Sequence, residues 1–302
     1  MSSGARPPLL MLGAPPRGGN HLLRGLLDSH PQLLIPPDED YFVRQLSRHP
    51  LQRWRGALTP KVWAPAFYRQ LQKNGHLERI NANSATEVSG TANALDLAAY
   101  YDYICRHHRC GDMDALVINH VEGMARALGY TSDDKRLRVF FCALQPGNQD
   151  LTRVSSLLAR SYDVRGIFLL RDPRAHLHSK IVRNPQLNVH RFCQRQNDYV
   201  REIECFNARA APALCVRFED LVTDTETRMR EVCEFAGIEF SPTVLEYTQG
   251  GIASVGNSSF TVSSGIDQRV VSRYQGALPA ATSAYLERHC VPELFWHAPS
   301  GG

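Results

Sequence analysis

A glycine-containing segment near the amino terminus has the composition of an anion-binding loop. Pro15-Pro16-Arg17-Gly18-Gly19-Asn20 follows the apolar run 9–14 and precedes an apolar pattern of helical spacing that begins at His21. Backbone N–H groups freed by glycine and the positive end of a helix dipole attract an anion at such a turn. Because Arg17 lies inside the segment, we expect its guanidinium to face that anion.

The segment lacks two residues that an ATP-hydrolysing P-loop requires. Gly13-x4-Gly18 matches half of that motif, but Gly19-Asn20 stands where the motif needs Lys followed by Ser or Thr. The Lys reaches the terminal phosphates and the hydroxyl holds Mg²⁺, so their absence disfavours a conventional NTPase. A small-molecule kinase that uses ATP is therefore only a minor alternative.

Strand and helix patterns alternate along the chain and would position these residues. Strand–helix alternation predicts an α/β fold with a central parallel β-sheet flanked by helices. We expect one domain over residues 1–302, with a helical insertion on the substrate side at about 40–130. The uncharged segment 247–266 is either a flexible surface loop or a loop that folds over a ligand. The strand candidates are 9–14, 138–144, 164–170 and 213–218, and the helix candidates are 21–27, 149–161, 173–183 and 225–236.

Composition and charge exclude several classes of protein. The longest apolar run, Val139–Leu144, has six residues, whereas a bilayer span needs about 20, so we expect no membrane segment and a cytoplasmic protein. The net charge is +4 and no basic run with interleaved aromatic residues occurs, which disfavours nucleic acid as a partner. The eight Cys form no Cys-x-x-Cys pair, and the His pairs lack a carboxylate at matching spacing, so no metal site is predicted. Nothing in the sequence fixes the oligomeric state.

Several motifs, in order along the chain, resemble those of one enzyme family. Residues 16–31 resemble the 5′-phosphosulfate loop of the sulfotransferases that use 3′-phosphoadenosine 5′-phosphosulfate (PAPS), in the branch that writes it Pro-Arg-Ser-Gly-Thr-Thr and continues to Leu-Asp-x-His-Pro. Residues 170–183 are similar to the 3′-phosphate motif of that family, as tyrosylprotein sulfotransferases write it. Residues 216–221 look like its Tyr-Glu-Asp-Leu segment, and Asn257-Ser258-Ser259-Phe260 and Arg273-Tyr274 extend the match.

The resemblance implies a P-loop-like sulfotransferase fold and a nucleotide held at two anionic ends. PAPS would be the sulfate donor and 3′-phosphoadenosine 5′-phosphate (PAP) the product. No metal is expected, because the migrating sulfuryl group carries little net charge and arginine and backbone N–H groups can stabilise it. On a helix that begins at 173, Ser179 and Arg183 share a face, so they and Arg171 can converge on the 3′-phosphate. The implied nucleotide-binding residues are Arg17, Gly18, Gly19, Asn20, His21, Leu22, Arg171, Ser179, Arg183, Phe218, Ser258 and Ser259.

The same resemblance implies the catalytic groups. Arg17 would stabilise the charge that grows on the leaving phosphate oxygen, with His21 beside it, and the acceptor needs a base close to its proton. Golgi-type members place a Glu a few residues beyond the His-Pro, which favours Glu39, with Asp38 next in order. The alternative is that these carboxylates form a solvated acidic helix cap. Phe218 would stand where the family has its adenine-contacting Tyr, unless it is a core residue at a strand end.

Three positions of the loop depart from the family pattern. Gly18 replaces Ser, and Asn20 and His21 replace two Thr, so both hydroxyls that the family offers to the 5′-phosphate are absent. Asn and His side chains can donate hydrogen bonds in their place. The sequence therefore predicts transfer of a sulfuryl group to a hydroxyl or amine of a small-molecule or carbohydrate acceptor. A catalytically silent PAP- or PAPS-binding protein is the main alternative.

Overall fold

A five-stranded parallel β-sheet forms the centre of the computed structural model. The structure describes residues 6–36, 73, 95–107, 113–131, 135–143, 150–249, 251–253 and 266–296. The order of the strands across the sheet is β2-β3-β1-β4-β5, and every neighbouring pair is parallel. These strands are β1 (Pro8–Ala14), β2 (Leu33–Leu34), β3 (Leu137–Ala143), β4 (Asp163–Leu170) and β5 (Ala213–Arg217).

Helices connect the strands and cover both faces of the sheet. A two-stranded antiparallel hairpin, β6 (Thr248–Gln249) and β7 (Ile252–Ala253), follows the last crossover. Among the helices that the structure describes, none combines the length and the apolar character needed to cross a bilayer. The helices are α1 (Asn20–Leu27), α2 (Leu97–His107), α3 (Met113–Ala127), α4 (Asp150–Leu158), α5 (Pro173–Ile181), α6 (Val189–Arg209), α7 (Phe218–Thr223), α8 (Thr225–Ala236) and α9 (Ala280–His289).

The side chains of β1 divide between two apolar cores, because a strand alternates its side chains between the two faces of a sheet. Leu9 and Met11 belong to one core, with residues of α2, α3, α4 and α6, and Leu10 and Leu12 belong to the other, with residues of α1 and α8. Each of these four side chains is at most 1% exposed, and burying each one contributes about 1.5–3 kcal/mol to folding. The two cores therefore fix β1 and, with it, the start of the loop that follows Ala14.

The α/β class and the parallel, helix-flanked sheet predicted from the sequence are confirmed. Strand β2 was not predicted, because its two residues are too short to show a periodic pattern. The hairpin β6-β7 occupies part of the segment 247–266, where the sequence predicts a loop. Within the region expected to be a helical insertion, α2 and α3 are helical, and most of 40–94 lies outside the described residues.

Two predicted positions are wrong. Arg183 does not share a helix with Ser179, because α5 ends at Ile181 and Arg183 lies in the turn that follows. Pro185 explains the early end, since a residue that precedes proline disfavours helical backbone. Phe218 does not end a strand, because β5 ends at Arg217 and Phe218 begins α7.

Candidate functional site

The loop after β1 passes through two left-handed backbone conformations before α1 begins. Arg17 has φ 71° and Gly19 has φ 109°. The left-handed conformation costs a residue such as Arg about 1 kcal/mol or more, whereas Gly adopts it freely. A Cβ at Gly19 would also lie 2.4 Å from Cδ2 of Phe218, so only Gly fits there. The surroundings of the loop must therefore impose its shape.

Five consecutive carbonyl groups, from Gly13 at the end of β1 to Arg17 in the loop, accept hydrogen bonds. The donor–acceptor pairs are Tyr199 Oη to Gly13 O (3.1 Å), Asn20 Nδ2 to Ala14 O (3.0 Å), Gly18 N to Pro15 O (2.7 Å), His176 Nε2 to Pro16 O (3.0 Å) and Arg171 Nη1 to Arg17 O (2.8 Å). We call these five donors the carbonyl clamp. The four side-chain donors are at most 9% exposed, so the carbonyl oxygens point into the protein. An anion outside the loop would meet peptide N–H groups rather than carbonyl oxygens.

The loop ends at the amino terminus of α1, with Gly19 as the N-cap residue. The N–H groups of Leu22 and Leu23 both donate to Gly19 O. The first-turn N–H groups of a helix point away from it and carry its positive dipole end. Together with Arg17, this helix end is well suited to an anion.

Arg171, Phe218 and Glu219 form a buried group beside the loop. The guanidinium carbon of Arg171 lies 4.3 Å from the centre of the Phe218 ring, and the same ring packs against Gly19. Glu219 Oε1 accepts the N–H of Asp172 at 3.0 Å. Because β1, β4 and β5 are parallel, their carboxyl ends meet at one edge of the sheet. That edge brings together residues that lie far apart in the sequence.

Two atoms of this group, Arg171 Nε and Glu219 Oε2, are buried and have no hydrogen-bond partner among the described residues. Burial lowers the pKa of Arg171 to about 10, although the Glu219 charge opposes that change. Burial raises the pKa of Glu219 to about 7, although the positive charge of Arg171 acts to lower that pKa. An unsatisfied buried polar group costs about 1–3 kcal/mol, so the two atoms indicate a binding site rather than a closed core.

Further cationic side chains surround Arg171. Burial lowers the pKa of Arg17, and the charge of Arg183 lowers it further. Burial also lowers the pKa of His178, to which the charges of Arg171 and Arg273 contribute. His178 is therefore mostly neutral at pH 7, whereas the guanidinium groups repel one another, so an anion placed among Arg17, Arg171 and Arg183 would be strongly attracted.

His176 is wholly buried on α5 and serves the carbonyl clamp without adding charge. Its Nδ1 lies 3.1 Å from Gln196 Oε1, and its Nε2 faces Pro16 O, which can only accept. Burial, together with the charges of Lys180 and Arg171, lowers the pKa of His176 to about 3. The ring is therefore neutral at pH 7 and carries its proton on Nε2, and the Gln196 carboxamide turns its NH₂ group toward Nδ1. Within the described part of the chain, no three His, Cys, Asp or Glu side chains form a group suited to a metal ion.

The comparison with protein families places this site in a known context. The model described as "Sulfotransferase family" matches residues 8–242, which include the loop, Arg171 and Phe218. The chain belongs to the sulfotransferase family. Protein-tyrosine sulfotransferase 2 of Gallus gallus is 23% identical over 287 residues, which cover 90% of this chain. The chain spans 64% of the length of that sulfotransferase.

Two solved sulfotransferase structures are similar to this one. The sulfotransferase domain from the Synechococcus PCC 7002 olefin synthase has a TM-score of 0.58 and 18% identity, over 95% of both chains. The sulfotransferase domain from the curacin biosynthetic pathway has a TM-score of 0.53 and 16% identity, over 94% of this chain and 98% of that one. These likenesses establish the sulfotransferase fold.

The structure brings the predicted basic residues of this sulfotransferase together. Arg17 is close enough to both Arg171 and Arg183 for their charges to interact. Ser179 lies on α5 after Arg171 and is 3% exposed. Phe218 packs against both Gly19 of the loop and Arg171, and its contact with an adenine stays a prediction.

Other predicted site residues have different surroundings from those expected. The Asn20 carboxamide donates to Ala14 O, so this contact supports the loop from inside. Gly18 is required by close packing, since a Cβ there would lie 2.7 Å from Pro15 O. His21 and Leu22 are half-buried at the start of α1. Asp38, Glu39, Ser258 and Ser259 lie outside the described residues.

Sequence reasoning missed three residues that shape the site. Glu219 lies inside the segment 216–221, and the resemblance of that segment to the family is the signal that could have identified it. His176 stood out in the sequence only as half of a possible metal pair. Tyr199 carried no local signal, because 186 positions separate it from the carbonyl of Gly13.

Proposed function

We propose that this sulfotransferase transfers the sulfuryl group of PAPS to a hydroxyl or amine of a small-molecule or carbohydrate acceptor and releases PAP. One observation carries the proposal: Arg171 Nη1 donates to Arg17 O at 2.8 Å, so the loop and the second basic group line one connected site. PAPS has anionic groups at two ends and would need basic groups at both.

The residues present fit such a nucleotide. Arg17 and the loop from Gly18 to Leu22 would hold the phosphosulfate end, although the N–H groups of Gly18 and Leu22 donate to Pro15 O and Gly19 O. Arg171, Ser179 and Arg183 would hold the 3′-phosphate, and the unpartnered Nε of Arg171 supplies a buried donor for it. Phe218 would contact the adenine, and the hydroxyls of Ser258 and Ser259 would add donors to the nucleotide.

Bound PAPS supplies an activated sulfuryl group on a phosphate leaving group. Arg17 would stabilise the negative charge on the leaving oxygen, with His21 close to it. Glu39, or Asp38 next in order, would take the proton from the acceptor. Fixed guanidinium groups and a helix end suffice for this charge, so we propose no metal ion in the reaction. The cytoplasmic location stays a prediction.

Titration calorimetry with PAP, in buffer without Mg²⁺, tests the donor site. We expect PAP to bind in the micromolar range or tighter, and we expect ATP with Mg²⁺ to bind at least ten times more weakly. Preference for ATP with Mg²⁺ would favour the kinase alternative and would contradict the proposal.

Release of PAP from PAPS tests transfer. Three acceptor probes represent a phenol, an amino sugar and a peptide: 4-nitrophenol, glucosamine and a tyrosine-containing peptide. The peptide is included because the relative from Gallus gallus is named a protein-tyrosine sulfotransferase. We expect PAP release above the rate in buffer with the phenol or the amino sugar.

A catalytically silent PAP-binding protein is the second candidate. It is favoured by the contact of Asn20 with Ala14 O, because that side chain replaces a family hydroxyl and is directed into the loop. Tight PAP binding without PAP release for any of the three probes would support this candidate.

A further inference from the structure

A buried ion pair lies at the carboxyl end of α1, the helix whose other end carries the anion-binding loop. Arg24 Nη2 and Asp28 Oδ1 are 2.8 Å apart, and their side chains are 2% and 1% exposed. Sulfuryl transfer as proposed above uses neither residue. Each of them, however, makes further contacts with a chain segment outside α1.

Arg24 holds the segment that leads to the candidate base. Its Nε donates to Pro36 O at 2.8 Å, and the Pro36 side of this contact is buried. Asp38 and Glu39 follow Pro36 by two and three positions in the sequence. Arg24 therefore fixes the backbone at Pro36, shortly before those carboxylates in the sequence.

Asp28 holds the hairpin that leads to the serine-rich segment. Its Oδ2 accepts a hydrogen bond from Thr248 Oγ1 at 3.1 Å and another from the N–H of Gly251 at 2.8 Å. Ser258 and Ser259 follow this hairpin in the sequence. The Ser29 hydroxyl, 2.7 Å from Thr248 Oγ1, adds a second link between α1 and the hairpin.

Glycine at position 25 allows the hairpin to approach α1 this closely. A Cβ at Gly25 would lie 2.3 Å from Cε2 of Tyr247, the residue that precedes β6. The ring of Tyr247 therefore packs directly on the helix backbone, next to the ion pair.

The chemistry around Asp28 requires a carboxylate. Arg24, Thr248 and Gly251 all present donors to it, and a carboxylate offers acceptors only. A buried ion pair is weak support for stability, because apolar residues of similar volume often serve as well. Apolar residues would not make directed bonds to Pro36 O and Gly251 N–H, so position explains the pair better than stability does.

We infer that Arg24 and Asp28 are positioning residues that fix Pro36 and Gly251 relative to the anion-binding loop. They thereby fix the backbone at two points, one shortly before Asp38 and Glu39 in the sequence and one before Ser258 and Ser259. The catalytic consequence of this inference rests on the proposed function, whereas the positioning itself does not.

Asp28→Asn is the first test. The Asn amide must turn its NH₂ toward either Arg24 or the two hairpin donors, so one set of bonds is lost. We expect amide hydrogen exchange at Gly251 to be at least tenfold faster, and PAP release with the best of the three acceptor probes to be at least tenfold slower. We expect the PAP dissociation constant to rise by a smaller factor than PAP release falls, because the carbonyl clamp and Arg171 are untouched and only the contacts proposed for Ser258 and Ser259 would weaken.

Glu122→Gln is the matched control. Glu122 pairs with Arg138 at 2.8 Å and accepts from the Tyr162 hydroxyl at 2.6 Å, so it is another carboxylate surrounded by donors, but it lies on α3. This variant should leave Gly251 exchange and PAP release within threefold of the parent.

Thr248→Val is the second variant: it keeps the ion pair, loses the hydroxyl and should also accelerate exchange at Gly251.

Unchanged exchange at Gly251 in both Asp28→Asn and Thr248→Val would overturn the inference. A fall in PAP affinity that matches the fall in turnover would also overturn it, because the pair would then support the donor loop rather than the segments at Pro36 and Gly251. If the parent protein binds no PAP, the proposed function is wrong, and the exchange measurement still decides whether the pair positions the hairpin.

Discussion

Arg171 makes contacts that depend on the shape of a guanidinium group. It donates to Arg17 O, stacks on Phe218 and lies beside the carboxylate of Glu219. A planar fork can donate at its edge while its face packs on a ring, whereas an ammonium group is a single point charge. The residue therefore joins the loop to the second basic group through geometry as well as charge.

Arg171→Lys should keep the charge and lose nucleotide affinity. Each hydrogen bond to a charged group contributes about 1.5–3 kcal/mol, so loss of one should weaken PAP binding by roughly 10- to 100-fold. Calorimetry measures this change, and Arg230→Lys, an exposed pair with Glu226, is the control that should bind PAP like the parent. Equal PAP affinity in Arg171→Lys and the parent would separate Arg171 from the donor site.

Glu219 gives the stability of the protein an unusual dependence on pH. Burial raises its pKa from 4.5 to about 7 in the folded state. Between these values the folded state binds more protons than the unfolded state, so the contribution of Glu219 to stability is lost as the pH rises. His176 has the opposite sign, because its folded pKa is below its unfolded value.

Glu219→Gln should remove this pH dependence. From pH 5 to pH 7.5 the parent should lose about 2 kcal/mol of unfolding free energy relative to the variant. Urea denaturation of both proteins at the two pH values measures the difference, and the contribution of His176 cancels because both proteins contain it. A difference that does not change with pH would show that Glu219 is ionised in the folded state at pH 5.

At the scale of elements, the loop depends on contacts with α5, α6 and α7. Tyr199, His176 and Phe218 come from three helices and meet a segment of seven residues. Their side chains define where the backbone can lie, and Gly19 is the position where backbone and ring are closest.

Gly19→Ala and Gly129→Ala separate steric conflict from backbone strain. Both glycines have positive φ, at 109° and 83°, but a Cβ at Gly129 meets nothing within 4 Å. We expect Gly129→Ala to cost about 1 kcal/mol of stability and to bind PAP normally. Gly19→Ala should cost about 1–3 kcal/mol more than Gly129→Ala. It should also weaken PAP binding, because Phe218 must move away from Arg171. Thermal unfolding and calorimetry on both variants check this.

The order of elements could be predicted from the sequence because each pattern is local. The runs around β1, β3, β4 and β5 are mostly apolar, as buried parallel strands are, and Gly237 ends α8 where the pattern stops. The position of Arg183 could not be predicted as easily, since helix ends depend on caps and on a proline further along the chain.

The carbonyl clamp could not be predicted because its contacts are not local. Arg171 and Arg17 O are 154 positions apart, and nothing in either segment signals the other. The resemblance to a family gave Arg171 a role toward a nucleotide, and the structure adds its role toward the loop. The candidate base Glu39 stays a prediction from that resemblance.

At the scale of the whole molecule, the first and last described segments meet at the same sheet edge. The N–H of Trp296 donates to Asp172 Oδ2 at 3.2 Å, and its indole Nε1 donates to Asp220 Oδ1 at 2.8 Å. Asp172 and Asp220 each adjoin a residue of the buried group beside the loop. Trp296 therefore lies next to the strand ends that carry Arg171 and Glu219, and a ligand bound at the candidate site should stabilise both the first and the last described segment.

PAP should raise the melting temperature without Mg²⁺. At a concentration 100 times its dissociation constant, a ligand stabilises the folded state by about 2.7 kcal/mol, which corresponds to a shift of roughly 5 °C for a chain of this size. Differential scanning calorimetry measures the shift. The same PAP concentration should shift Arg171→Lys by about half as much or less, and an equal shift in both proteins would place the nucleotide elsewhere.

The engagement of five successive carbonyl oxygens has a consequence for transplanting this loop. A peptide copied from residues 13–19, or the same letters inserted into an unrelated scaffold, would arrive without the tyrosine, histidine and arginine that turn its backbone. The carbonyl oxygens of such a peptide would be free to face the anion and would repel it. A redesign that includes this loop must therefore also include the side chains, distant in the sequence, that bond to its carbonyl groups.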